Sequence, residues 1–211
     1  MKCVICQQRG GKRYCPEKRG YICALCCGAE REVTIDCPLD CDYLREAHRQ
    51  EAKRAEPPAE QPYAAHQVTE QFLEENNTFI SAVAARILEV SLESPGTRDS
   101  DVIVALDALV RTYETLSTGI VYETQPEGVP AKHVYRAVQD FAATFRDEQA
   151  QRAGINVMRD GDVLRSLVFL GRIARVRGNQ RPRCRAFLGF LRRMFPTMSA
   201  RQEQKLIVPG A

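Results

Sequence analysis

The sequence of 211 residues lacks the features that mark membrane and secreted proteins. It contains no apolar run of about 18 residues, so no segment is suited to form a transmembrane helix. The N-terminal sequence MKCVICQQRGGKRYC has no apolar core of about 7–15 residues, which a secretory signal requires. These absences predict a cytoplasmic protein, and disulfide bonds are disfavoured in that reducing compartment.

Catalytic motifs are absent as well. The chain has no Gly-x-Ser-x-Gly sequence, no P-loop and no His-Glu-x-x-His sequence. It has only three histidines, His48, His66 and His133, and none has a carboxylate at a spacing that indicates catalysis. Isolated histidines of this kind are expected at the surface. The sequence therefore predicts a protein without enzymatic activity.

Cysteine, in contrast, is abundant, because nine are present and eight of them lie between Cys3 and Cys41. A segment of about 41 residues is too short to bury a useful apolar core, and such segments usually depend on disulfides or metal. Metal is the expected cross-link in a reducing compartment. The candidate ligands are Cys3, Cys6, Cys15, Cys23, Cys26, Cys27, Cys37 and Cys41. Because zinc takes four ligands in closed structural sites, eight cysteines predict two structural zinc ions.

The spacing leaves more than one assignment of these ligands open. In a cross-brace arrangement, Cys3 and Cys6 share an ion with Cys23 and Cys26, and the other four cysteines hold the second ion. A sequential arrangement satisfies the same count, and His48 is a reserve ligand for the second site. An iron–sulfur cluster is the main alternative to zinc, because cysteine-only sites hold either metal.

The ninth cysteine, Cys184, lies apart from the others. Its neighbours Arg183 and Arg185 favour a lowered thiol pKa. Its position in an apolar stripe with Phe187 and Leu188 instead favours a buried, unreactive thiol, since free cysteine is among the most buried residue types. We expect the buried state.

Residues beyond the cysteines are predicted to be helical. Residues 42–54 form a charged, alanine-containing stretch typical of a helix. Apolar residues then recur at spacings of three, four and seven in five further segments, which predicts an all-α bundle of about five helices. The predicted organisation is a Cys-rich double-zinc module over residues 1–41, a charged helix and Pro-rich linker over 42–65, an all-α domain over 66–196 and a loose tail over 197–211. The predicted fold class is therefore mainly α.

Individual residues indicate where some of these helices begin and end. Asp99 or Ser100 is suited to cap the second bundle helix. Pro130 favours the first turn of the third helix. Gly154 and Gly178 are suited to end the third and fourth helices.

Charge is distributed unevenly along the chain. The net charge is +2 over residues 1–56, −9 over residues 57–151 and +10 over residues 152–201, where every basic residue is an arginine. One interpretation is that the acidic and basic helices pair within the bundle. The other is a basic surface for nucleic acid or an acidic partner. The candidate contacts are Arg172, Arg175, Arg177, Arg181, Arg183, Arg185, Arg192 and Arg193.

Three segments carry a resemblance to a known family. They are Cys3-Val4-Ile5-Cys6, Arg13-Tyr14-Cys15-Pro16 and Tyr21-Ile22-Cys23-Ala24-Leu25-Cys26, and they resemble the opening of HIT-type and related cross-brace zinc fingers. That family binds two zinc ions and acts in protein assembly, so the resemblance implies a protein partner. Residues 36–44 are also similar to a segment of uncharacterised bacterial zinc-finger proteins.

We therefore expect a zinc-binding, non-enzymatic protein-interaction or regulatory adaptor. Nucleic-acid binding through the arginines of residues 152–201 is one alternative function. An iron–sulfur or thiolate sensor of redox state or metal is the other.

Overall fold

The computed structural model describes residues 1–55, 61–94, 96–119, 122–153 and 158–198. Its fold is mainly α, with a small Cys-rich module at the N-terminus, which confirms the predicted fold class. The module contains two short strands and one short helix, which are β1 (Arg13–Cys15), β2 (Gly20–Ile22) and α1 (Ala24–Glu30). Sequence periodicity does not reveal elements this short, because each spans about two periods or fewer.

Longer helices make up the rest of the described chain. They are α2 (Asp42–Arg54), α3 (Glu70–Glu93), α4 (Asp99–Ser117), α5 (Val129–Ala153), α6 (Asp160–Arg177) and α7 (Ala186–Met194). Helix α2 is the predicted charged helix, and α3 to α7 are the five predicted bundle helices. Helices α3 and α4 both pack against α5 and α6, while α7 packs on α3, α4 and α6 and also contacts α2. Among the described helices, none combines the length and apolar character needed to cross a membrane.

The helix ends agree with the predictions only in part. Gly178 is the residue that follows α6, as predicted. The prediction that Asp99 or Ser100 caps α4 is wrong, because Arg98 is the N-cap residue. The backbone N–H of Arg98 donates to the Asp101 carboxylate at 2.9 Å. The acidic side chain thus stabilises the start of α4 from inside the first turn.

Some predictions fall on residues that are not described. Gly154 is one of them, and so are the prolines Pro57 and Pro58 of the predicted linker. Most of the predicted tail, residues 199–211, also lies outside the described residues.

Apolar side chains form two separate cores. The larger core lies inside the bundle and contains fully buried side chains such as Phe79 and Leu106. The smaller core belongs to the N-terminal module, where Ile22, Ile35 and Leu44 pack among the cysteines. Because so few apolar side chains fill the module, thiol groups make up much of its interior.

The apolar stripe of α7 is shorter than its sequence pattern suggests. Phe187, Leu188 and Leu191 are buried in the bundle core. The same apolar spacing in the sequence also predicts that Met194 is buried, but Met194 is 60% exposed, so that prediction is wrong. Met194 is the last residue of α7, where the helix leaves the bundle core.

Asp99 joins the first turn of α4 to the start of α7. Its carboxylate accepts hydrogen bonds from the backbone N–H groups of Phe187 at 2.8 Å and Leu188 at 3.1 Å. It also accepts the thiol hydrogen of Cys184 at an S···O distance of 3.2 Å. Burial raises the pKa of Asp99 to about 6, although these donors act in the opposite direction. Asp99 therefore caps the N-terminus of α7 from a different helix.

Replacing Asp99 by alanine removes this cap and leaves two buried N–H groups without an acceptor. We expect Asp99→Ala to lower the free energy of unfolding by about 2–4 kcal/mol, measured by urea denaturation at pH 7. Asp160→Ala is the matched control, because Asp160 is the first residue of α6 and is partly exposed in an ion pair with Arg146. Its loss should cost less than about 1 kcal/mol. Equal losses in the two variants would contradict the capping role of Asp99.

Candidate metal centre

Two turns bring the first group of cysteines together. Cys3 and Cys6 precede β1, whereas Cys23 is the N-cap residue of α1 and Cys26 lies in its first turn. The backbone N–H of Cys26 donates to the sulfur of Cys23 at 3.4 Å. All four sulfur atoms lie within 4.8 Å of one another. This is the grouping of the cross-brace arrangement, and four converging thiols can hold a metal ion.

The thiol pKa values show how the four cysteines of this group affect one another's ionisation. Burial raises the pKa of Cys3, but backbone N–H groups of Cys6, Cys23 and Ile5 outweigh it and bring the pKa to about 6. The pKa of Cys26 rises to about 12, chiefly through its contact with Cys23, with burial adding to the effect. Neighbouring thiolates repel, so the ionisation of one keeps another protonated. A bound dication would remove this repulsion and allow all four thiols to ionise.

The remaining four cysteines of the module form a looser group. Cys15, Cys27, Cys37 and Cys41, all described by the structure, line one small cavity of about 20 Å³. They are not drawn together to the 4.8 Å of the first group. Burial raises the pKa of Cys37 to about 12. The backbone N–H of Glu32 lowers this pKa, whereas the nearby charges of the Glu32 carboxylate, Cys41 and Cys15 raise it. A cavity of this size accommodates an ion but no larger ligand.

A different cluster of ligand-type atoms lies where the module meets the bundle. The carboxylates of Glu32 and Glu51 lie within 4.8 Å of a ring nitrogen of His48. Groups of the chain itself already contact these atoms. His48 Nε2 is 2.9 Å from Glu32, and the amide of Asn179 donates to Glu32 at 2.7 Å and to Glu51 at 3.0 Å. Arg31 pairs with Glu51 at 3.0 Å. The cluster is therefore an internally satisfied polar network.

Glu32 is the centre of this network. It is fully buried, and its backbone φ of +54° lies in the left-handed region that residues other than glycine seldom adopt. Its carbonyl accepts from the Arg183 N–H at 2.9 Å, its carboxylate accepts from the Arg185 N–H at 2.7 Å, and its own N–H donates to the Cys37 sulfur. Burial raises the pKa of Glu32, but His48 and these donors bring it below its usual range. The surrounding contacts hold the strained backbone in place.

Two histidines differ from the sequence expectations. His48 was expected to face solvent, with a reserve role as a ligand, but it is 4% exposed and contacts Glu32. His66 was expected at the surface, but it is only partly exposed, and its Nε2 lies 2.7 Å from Glu114. Both partners are distant in sequence, so local spacing does not reveal them. His133 is exposed, as predicted.

The first two arginines of the predicted basic surface contact other parts of the chain. Arg172 donates from its guanidinium to the backbone carbonyl of Pro62 at 3.1 Å. Arg175 pairs with the Asp107 carboxylate on α4 at 2.6 Å. Both contacts hold elements of the bundle domain together.

Three further arginines connect the α6–α7 loop to the module. Arg181 donates to the carbonyl of Gly28 at 3.1 Å. Arg183 and Arg185 pair with Asp36, at 4.0 Å and 3.1 Å. These side chains therefore contribute to the contact between the two cores.

The last three members of the set lie nearer the surface. The guanidinium of Arg177 lies over the Phe190 ring, 4.4 Å from its centroid. Arg192 and Arg193, on α7, border a surface cavity of about 350 Å³ together with Arg45 of α2. The interpretation in which the arginines pair within the protein thus describes more of these eight residues than the interpretation in which they form a continuous basic surface.

Cys184 is buried, which confirms the prediction for this thiol. It is 6% exposed, and its sulfur donates to Asp99 and accepts from the backbone N–H of Asn179 at 3.3 Å. Burial and the neighbouring carboxylate raise the pKa of Cys184 well above its usual range. The thiol is therefore kept protonated and is a poor nucleophile.

Three residues organise this region in roles that the sequence did not reveal. They are Glu32, Asp99 and Asn179. Asn179 lies 147 positions from Glu32 in the chain. Single acidic or amide residues carry no periodic signal, and only the positive φ of Glu32 distinguishes it, which the sequence does not display.

No protein-family model, curated protein or solved structure matches this chain. The function is accordingly inferred from the geometry of its own residues.

Replacing Glu32 by alanine should separate the contribution of the network from that of the metal ligands. We expect Glu32→Ala to lower the free energy of unfolding by about 3–5 kcal/mol, because it leaves His48, Asn179 and a backbone N–H without their buried acceptor. Urea denaturation of the metal-loaded protein measures this loss. Glu17→Ala is the control, since Glu17 is exposed and should change stability by no more than about 0.5 kcal/mol. A wild-type midpoint for Glu32→Ala would show that the network is dispensable.

Proposed function

We propose that this chain is a zinc-binding, non-enzymatic adaptor whose N-terminal module folds around two structural zinc ions. The observation that carries the proposal is the convergence of Cys3, Cys6, Cys23 and Cys26, whose sulfurs lie within 4.8 Å of one another. Four protein ligands complete the tetrahedral coordination of zinc and leave no position for water or substrate. An ion held in this way stabilises a fold and does not take part in catalysis.

The separation of these sulfurs favours one ion over a cluster. Zinc–sulfur bonds of about 2.3 Å place the four sulfurs of a tetrahedron about 3.8 Å apart. An iron–sulfur cluster inserts several iron and sulfide ions between its thiolates and needs a wider spacing. The four sulfurs lie no more than 4.8 Å apart, which is closer to the spacing around a single zinc ion. Brown protein, or zinc release on mild oxidation, would instead support the redox-sensor alternative.

The second zinc is assigned to Cys15, Cys27, Cys37 and Cys41. Support for this assignment is the ion-sized cavity that these four residues line. Successive residues of a helix project about 100° apart, so the adjacent Cys26 and Cys27 of α1 can serve different ions. Binding would draw the second group inward, which is expected because metal and fold form together in small modules.

The zinc content of variants at the adjacent residues Cys26 and Cys27 tests the ligand assignments of both zinc sites. Wild-type protein should contain two zinc ions per chain, and Cys26→Ser and Cys27→Ser should each retain one, because each removes a ligand from a different site. The combined variant should retain none, and Cys184→Ser, the control, should retain both. Elemental analysis of the purified variants gives these values. Iron with absorbance near about 400 nm, or a wild-type zinc content in both single variants, would contradict the proposal.

The adaptor role is supported by the location of exposed apolar side chains. In the described part of the chain, seven of the eleven large apolar side chains that are exposed belong to residues 1–43. They are Met1, Val4, Tyr14, Tyr21, Leu25, Val33 and Tyr43. Apolar groups held at the surface of a rigid module are typical of interaction sites. The bundle would then supply a second surface for a partner.

Nucleic-acid binding through the arginines of residues 152–201 receives less support. At least five of the eight candidates contact acceptors of the chain itself, among them Arg172, Arg175, Arg181, Arg183 and Arg185. An external phosphate would have to compete with these internal acceptors.

A protein partner of the module should depend on Leu25, which lies on α1 and is 64% exposed. We expect Leu25→Asp to reduce recovery of the partner at least about 10-fold in pull-downs with the zinc-loaded chain, because a charge in an apolar contact is costly. Val129→Asp is the matched control, since Val129 is 67% exposed on the bundle. Quantitative mass spectrometry measures recovery. Equal recovery with both variants, or a measured turnover of a substrate by the chain, would count against the adaptor.

A further inference from the structure

The hairpin of the module presents two tyrosine rings on its outer face. Strands β1 and β2 are antiparallel, with Tyr14 directly opposite Tyr21. Cys15 and Ile22, whose side chains point to the other face, are buried, whereas Tyr14 is 52% and Tyr21 is 41% exposed. The two rings meet edge to face, with centroids 5.6 Å apart. The hairpin therefore carries an exposed aromatic pair that is fixed in position.

The backbone beneath these rings is closely packed. A Cβ atom on Gly11 would lie 2.7 Å from the carbonyl oxygen of Tyr21, and one on Gly20 would lie 2.8 Å from a methyl group of Val4. The N–H of Val4 also donates to the Tyr21 carbonyl at 3.0 Å. The N-terminal segment thus packs along the hairpin and leaves the rings uncovered. We call the outer face that bears Tyr14 and Tyr21 the hairpin platform.

The hairpin and the segment that precedes it carry an excess of positive charge. Residues 1–23 contain six basic residues and one acidic residue, Glu17. Five of the basic residues are exposed, and none of the five forms an ion pair with a described residue; they are Lys2, Arg9, Lys12, Lys18 and Arg19. Lys12 immediately precedes β1, and its N–H donates to the carbonyl of Ile22 at 3.1 Å. The strand pairing thus continues to Lys12, and alternation places its side chain on the same face as Tyr14. These side chains differ from the arginines of the α6–α7 loop, which contact internal acceptors.

We propose that the hairpin platform binds single-stranded nucleic acid, with bases stacked on Tyr14 and Tyr21 and phosphates held by the surrounding lysines and arginines. Exposed aromatic rings within a basic surface are the combination that single-strand binders use, because every base has a face that stacks and every nucleotide carries a phosphate. A duplex keeps its bases stacked internally, so it cannot use the rings. The proposal rests on the zinc-folded module and names a ligand class for it.

Binding is measured by fluorescence anisotropy of the full-length, zinc-loaded protein with labelled oligouridine of about 12 nucleotides, within the range of known site sizes. We expect binding at about 50 mM salt. Affinity should fall roughly 50-fold at about 200 mM salt if four phosphates are contacted. A duplex of the same length should bind more weakly.

Substitutions distinguish stacking from simple charge attraction. Tyr14→Ala and Tyr21→Ala should each weaken binding by about 5- to 100-fold. Tyr122→Ala is the matched control, because Tyr122 is 63% exposed outside the module and should leave affinity unchanged. Lys12→Ala should reduce the slope of the salt dependence by about 0.7, whereas Lys132→Ala, exposed on α5, should not change it.

Tyrosine fluorescence supplies a second readout. The chain contains no tryptophan and seven tyrosines, so stacking should quench its intrinsic emission. The quenching should disappear in the variant that lacks both Tyr14 and Tyr21. Zinc content and thermal unfolding are measured for every variant, which separates a lost contact from a misfolded module.

Several outcomes would overturn the proposal. They are an absence of binding by the zinc-loaded wild type at about 50 mM salt, equal affinity for single strand and duplex, and unchanged affinity in both tyrosine variants. Capture of an acidic protein by the platform without oligonucleotide binding would also overturn it. Each of these results leaves the zinc adaptor intact if the zinc content is two, whereas protein that binds no zinc contradicts the adaptor itself.

Discussion

Glu32 supplies the contact on which the arrangement of the two cores depends. Its carboxylate meets His48 of α2 and the amide of Asn179, while its backbone carbonyl accepts from the N–H of Arg183. One fully buried residue thus joins the module, the charged helix and the α6–α7 loop. A buried carboxylate is costly unless every lone pair has a donor, so the geometry of all three elements must agree at this point. Such agreement explains how a left-handed φ is maintained at a residue that is not glycine.

The same residue also links the cysteines of the module to the bundle. The N–H of Glu32 donates to the sulfur of Cys37, so the backbone turn that presents the carboxylate to the bundle is the turn that supports this thiol. The module has few apolar side chains of its own, with Ile22, Ile35 and Leu44 among the buried ones. The proposed metal ions would therefore be the main source of its rigidity. A rigid turn in turn fixes the acceptors that the α6–α7 loop requires, so folding of the module and its docking on the bundle are coupled.

The sequence predicted those parts of the structure that depend on a repeated spacing of residues. Helices α3 to α7 followed from apolar spacing, and the cross-brace grouping was one of two assignments that the Cys-x2-Cys pairs suggested. Contacts between single residues far apart in the chain were not predictable. Asp99 was taken as a cap for α4, but it caps α7, because the fold brings residue 187 against it. His48 has a polar side chain on a charged helix, and only the position of Glu32 explains its burial. Local patterns report which face of an element is buried but not which element covers it.

Arginine and lysine occupy different places in this protein because their side chains differ in chemistry. Arginine presents five donors on a planar group and is less strongly hydrated than lysine, so it satisfies internal carbonyls and carboxylates at small cost. Arg172 and Arg181 do this in the bundle and at the module contact. Lysine keeps its hydration and stays at the surface, as Lys12 and Lys18 of the N-terminal module do. Several arginines of the segment with the largest formal charge therefore stabilise the fold, whereas the smaller excess of charge on the hairpin is exposed and accessible to a ligand.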